Sequence, residues 1–161
     1  MIRGESAAGM QADVIISIRP EWWHKILIGR KNVEIRKSFP TRLMRMDIRE
    51  KNGFTAAVHV SGLPDISGFI HFYEITTHKT RMIIGSGMTE AQFDEYSGGL
   101  TVFGWCLDSV QKLKKTIPLE EFGITKPPQS WCYVQRRTQL AAFADRDTAY
   151  YADRGALMPA T

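Results

Sequence analysis

Cysteine is scarce in this chain: Cys106 and Cys132 are the only two in 161 residues. They form no CxxC pair and no spacing typical of a zinc site. Each lies beside aromatic residues, in GWC and SWCY, which fits packed, reduced thiols on strands. Histidine gives no metal set either. His24 and His78 stand alone, and His59 and His71 fall on separate strands of a predicted hairpin, so no metal is expected. No cofactor is expected: the GSG at 85–87 lacks the lysine and following helix of a phosphate-binding loop. Ser61, Ser86 and Ser130 lack the nucleophile elbow of a serine hydrolase. No apolar run approaches the roughly 18 residues that cross a bilayer. The opening MIRGESAAGMQ has no apolar core of a secretory signal. A cytoplasmic location without membrane contact is the expectation. Internal repeats and heptads are absent.

What the chain does contain is an ordinary globular composition, 43% hydrophobic and 24% charged. Its length suits one domain able to bury a core without metals or disulfides. The net charge of +4 is unevenly placed. Between residues 19 and 51 there are ten cations and four acids, an excess of six, so the remainder of the chain is net acidic. Such a segment fits contact with a polyanion, although a charge run can equally be a solvated face.

Residues 13–19, DVIISIR, are rich in β-branched side chains and read as a strand. Pro20 then suits the first turn of a helix, where its missing N–H is not needed. Trp22, Trp23, Ile26 and Leu27 fall on one helical stripe, and Gly29 suits the left-handed residue that closes the helix. Residues 32–39 alternate as a strand, with Val33 and Ile35 on one face and Asn32, Glu34 and Arg36 on the other. The segment 41–53 is polar and basic and fits either a short helix or an extended edge. Residues 55–61 and 66–77 read as a hairpin with a bulge at Gly68. Thr89 and Gln92 form a capping box for a second helix that ends at Gly98-Gly99. Residues 100–107 are a further strand, with 108–115 continuing or pairing with it. A short helical turn at 118–122 and the proline-stiffened KPPQ lead to a last strand. The fold class is α+β, mainly β: a small antiparallel barrel with short helices covering its openings. The expected organisation is a flexible N-terminus at 1–12, the domain at 13–134, and a partly helical or disordered extension at 135–161.

The densest chemistry lies in GRKNVEIRK, residues 29–37. Lys31 sits in a tight connection, where an ammonium can reach an anion or, if desolvated, serve as a base. Glu34 and Arg36 share a strand face about 6.8 Å apart. On the surface such a pair is an inconsequential salt bridge. In a pocket it offers an acceptor for a base edge beside a planar cation. Trp131 and Tyr133, reached through the stiff Pro127-Pro128, are candidates for base stacking.

These residues resemble the ASCH domain, a relative of the PUA fold, of bacterial and phage type. Its pattern of strand, helix and GxKxxExR is matched by Gly29, Lys31, Glu34 and Arg36, and the closing PPQSWCYV resembles the family's PPQS-aromatic ending. The resemblance spans about residues 13–134. It implies a PUA-like barrel with a cleft beside the first helix, binding RNA, single-stranded nucleic acid or a nucleotide. Arg19, Lys31, Glu34, Arg36, Lys37, Ser130, Trp131 and Tyr133 would serve that cleft. Some relatives are hydrolases, an N4-acetylcytidine amidohydrolase branch and a ribonuclease branch. The amidohydrolase implies a lysine (Lys31), a threonine three residues on, which is Glu34 here, and a distant acid for which Glu74 is the candidate. A carboxylate beside Lys31 favours its ammonium form, which opposes the base role and favours the binding reading. A protein partner could dock on 41–53 or on the C-terminal extension.

Overall fold

The computed structural model describes residues 12–134. The expected C-terminal extension lies outside the described residues, as does the N-terminal segment except Ala12, which is fully buried. In chain order the elements are β1 (Val14–Ile18), α1 (Pro20–Leu27), β2 (Val33–Arg36), β3 (Phe54–Val60) and β4 (Ile66–Thr76). Then follow α2 (Lys79–Ser86), α3 (Glu90–Ser97), β5 (Phe103–Ile117), a 3-10 turn (Leu119–Phe122) and β6 (Trp131–Tyr133).

The six strands form one curled sheet in the order β2-β5-β4-β3-β1-β6. All neighbours are antiparallel except β1 and β3, which run parallel from Val14 opposite Ala56 to Ile18 opposite Val60. A parallel pair requires a crossover, and α1, β2 and the segment 37–53 together supply it.

Strand alternation sorts the core. Val14, Ile16 and Ile18 join Ala56, Val58, Val60, Phe72 and Trp105 on the inner, concave side, and α1 docks there through Trp23 and Ile26. Ile15, Ala57, Ile66 and Phe69 face the other way, under Leu119 and Phe122 of the 3-10 turn. A third cluster packs Val33 and Ile35 of β2 against Met82 of α2 and Phe93 of α3. With 29 apolar side chains buried among the described residues, hydrophobic burial dominates the stabilisation.

The hairpin, its bulge near Gly68, the capping box at Thr89 and the turn at 119–122 all form. Residues 108–115 continue β5, which becomes a 15-residue strand whose length is accommodated by register shifts against β4. The segment 41–53 is neither of the two forms expected. It is irregular apart from a Met46–Ile75 bridge, because its polar backbone bonds to β4 individually, Asp47 N–H to Ile75 C=O at 2.6 Å and Glu50 N–H to Tyr73 C=O at 2.9 Å. Helix α2 was not expected, since KTRMIIGS carries no apolar stripe and buries only Met82 and Ser86. No helix among the described residues is long and apolar enough to cross a membrane.

Candidate functional site

Helix α1 ends as its sequence requires. Gly29 takes φ +80°, Arg30 N–H bonds back to Lys25 C=O at 2.8 Å and Gly29 N–H to Ile26 C=O at 3.1 Å. These are the two closing bonds of a Schellman end. The turn delivers Lys31 beneath the helix and starts β2, whose four residues are all buried. The alternation therefore holds, but the polar face is not a solvent face. Val33 and Ile35 enter the core, while Glu34 and Arg36 line a gap between β2 and the opposite edge of the sheet.

Arg36, 8% exposed, closes that gap. Its Nε and Nη2 donate to Glu34 Oε2 at 2.9 and 2.7 Å, and Nη2 also donates to Ser17 C=O at 2.7 Å. Nη1 donates to Ser130 C=O at 3.0 Å and to Ser130 Oγ at 3.1 Å. A guanidinium has five N–H groups, and here every one meets a protein acceptor.

Lys31, 3% exposed, is likewise saturated. Its Nζ donates to Val33 C=O at 3.0 Å and Ser86 C=O at 3.1 Å, lies 3.3 Å from Glu34 Oε1, and has the Trp22 ring at 4.9 Å. The Ser86 bond ties the floor to the C-terminal carbonyl of α2, where a cation is favoured. Burial pushes the Lys31 ammonium below its ordinary range, and the Glu34 carboxylate only partly offsets this. That reverses the balance expected from the sequence, because desolvation of a nearly enclosed ammonium outweighs one neighbouring charge. Glu34 behaves oppositely. Burial pushes its carboxyl up, and Arg36 and Lys31 together more than cancel that, leaving it below the usual carboxylate range. Oε2 takes two bonds from Arg36; Oε1 has the Lys31 ion pair but no hydrogen bond of good geometry.

Above these groups lies a cavity of about 370 Å³ lined by Ser17, Arg19, Trp22, Lys31, Glu34, Ile35, Arg36, Ser61, Met88, Gln92, Tyr96, Gln129 and Ser130. Of the expected site residues, Arg19, Lys31, Glu34, Arg36 and Ser130 meet here. Lys37 stands at the rim, with Nζ 5.0 Å from the centre of the Tyr96 ring. Trp131 and Tyr133 do not line the cavity. They pack edge-on with each other, Trp131 also packs edge-on with Trp105, Trp131 Nε1 donates to Ser38 Oγ at 2.9 Å, and the Arg42 guanidinium covers the Tyr133 ring at 3.7 Å. Glu74 is elsewhere, held by both Nη groups of Arg81 at 2.9 and 2.8 Å. Sequence reading missed Gln92 and Tyr96 because a capping box locates a helix without saying which face meets β2. It assigned Trp22 to the core stripe, where it is half-buried, so its second role over Lys31 had no separate signal. Among the described residues no group of histidine, cysteine and acidic side chains could hold a metal ion.

The curled six-stranded sheet with helices at its openings recurs in solved structures. The crystal structure of ASCH from Zymomonas mobilis superposes with a TM-score of 0.61 at 22% identity, covering 80% of this chain and 92% of that one. A serine-to-alanine mutant of the same protein gives 0.61 at 20% identity, covering 83% and 96%. A tyrosine-to-phenylalanine mutant gives 0.59 at 20%, covering 80% and 96%. The chain has the ASCH-domain fold. No protein-family model matches the sequence, and no curated protein is detectably similar to it.

Proposed function

We propose that this domain binds RNA or a nucleotide in the cleft between α1, β2 and α3. The observation that carries the reading is the composition of one cavity lining: a buried ionised carboxylate, an exposed arginine, and two half-buried aromatic rings, Trp22 and Tyr96. A base offers a flat face and polar edge, and a phosphate offers charge, so this set suits a nucleotide better than an apolar metabolite. The cationic segment 19–51 surrounds the cleft in sequence and supports approach of a polyanion. The test is titration of labelled single-stranded RNA at two salt concentrations. Binding that weakens steeply with salt and weakens further in Arg19→Ala supports the reading; RNA and mononucleotides both failing to bind removes it.

Hydrolysis of RNA or of a modified nucleoside is the second reading, favoured by one observation, the lowered Lys31 pKa. Against it, the three ammonium protons already face Val33, Ser86 and Glu34, which leaves no lone-pair direction toward a substrate. Glu74 stands outside the cleft. RNA cleavage and N4-acetylcytidine turnover, each compared between wild type and Lys31→Ala, decide it.

A further inference from the structure

We infer that the cleft receives a nucleotide base-first, with the amino group of cytosine or adenine against Glu34 and the phosphate outward on Arg19. This deepens the nucleotide-binding reading and rests on it.

The argument is a count of protons. Lys31 brings three donors and Arg36 five. Two of the Lys31 protons go to Val33 and Ser86, the third side faces Glu34, and all five from Arg36 go to Glu34, Ser17 and Ser130. The deep cations therefore have nothing left to donate to a phosphate. An anion seated on the floor would break those bonds and would also meet the Glu34 carboxylate. What the floor has to spare is the reverse, an acceptor. Glu34 Oε1 is enclosed and ionised, and its one near donor, the Lys31 ammonium at 3.3 Å, makes an ion pair without hydrogen-bond geometry; the residue is 6% exposed. A buried acceptor without a well-formed hydrogen bond is uncommon in proteins, and Glu34 lines the cavity, so a neutral N–H entering from that side would supply the bond. Among the cations lining the cavity, Arg19 alone is exposed. Floor and rim thus differ in chemistry: acceptor inside, cation outside. A volume of about 370 Å³ lies in the range of small-ligand sites.

The test is calorimetric titration of the whole chain with matched pairs. Cytidine 5′-monophosphate is compared with its analogue lacking the 4-amino group, and adenosine 5′-monophosphate with purine riboside 5′-monophosphate. Each is also run without its phosphate. The amino-bearing member of at least one pair should bind at least about tenfold more tightly, as for a hydrogen bond to a charged acceptor. Arg19→Ala should reduce the affinity of the nucleotide to near that of its nucleoside. Equal binding of the amino and deamino members overturns the base-first placement while leaving nucleotide binding intact. So does an Arg19→Ala loss that is the same with and without phosphate. No binding of any of these ligands, or of single-stranded RNA, removes the nucleotide-binding reading with it.

Discussion

Arg36 illustrates how a motif residue can be held entirely by the protein's own acceptors. Its guanidinium spans from β2 to β1 and the approach to β6, and removing it would leave Glu34 buried beside fewer partners. Arg36→Ala should destabilise the fold by about 3–5 kcal/mol, the cost of breaking a buried ion pair, measured by denaturant unfolding. Arg36→Lys should also lose stability, since a point ammonium cannot serve acceptors arranged around a planar fork. The Glu34 carboxyl gives a pH signature. Its folded pKa lies below the ordinary value of about 4.3, so its contribution is present above that value and is lost as pH falls through the lower, folded one. Acid unfolding of Glu34→Gln should lack this component. From the sequence, the motif's residue types and shared face were legible. That the face is buried was not, because alternation specifies which side chains lie together and is silent on what covers them.

Among the elements, α2 is held by contact more than by propensity. A Cβ on Gly85 would lie 2.4 Å from Val33 Cγ2 and 2.5 Å from Asn32 Oδ1, so the absence of a side chain there lets the helix approach β2. Gly85→Ala should cost about 1–3 kcal/mol through overpacking, visible as a lowered Tm. The segment 37–53 has a different fastening. His71 Nδ1 faces Asp108 Oδ1 at 2.8 Å and Nε2 faces Asn52 C=O at 2.7 Å. Burial pulls the imidazolium down, but these two acceptors, with Asp13 nearby, outweigh it and raise its pKa. The sign follows: the contribution is complete below the unfolded value of about 6.5 and fades as pH rises through the folded one. His71→Asn should remove this alkaline decline in Tm. The capping box of α3 and the end of α1 were readable because each is encoded within a few residues. Helix α2 was not, since its place depends on Val33 and Asn32, about fifty positions away.

At the scale of the molecule, strand content and the barrel-like curl could be read from periodicity and turn residues. The parallel pairing of β1 with β3 could not, because side-chain alternation looks the same in either direction. The cleft inherits that limit: it is built by bringing residues 17–36, 61, 88–96 and 129–130 together, and neither 61 nor 88–96 announces itself. Salt dependence belongs to this scale too. If the excess of cations between 19 and 51 steers RNA, affinity should fall by roughly tenfold or more between 50 and 200 mM salt, read by fluorescence anisotropy.

The strand order leaves β2 and β6 as the two borders of the sheet, and the Arg36 side chain, with Ser38 between Trp105 and Trp131, holds these borders near one another. Exposed strand borders recruit other chains. The same fastening that shapes the cleft thus draws the two borders together, which limits their exposure to other chains. Variants that open it should appear first as insoluble protein, before any loss of binding can be measured.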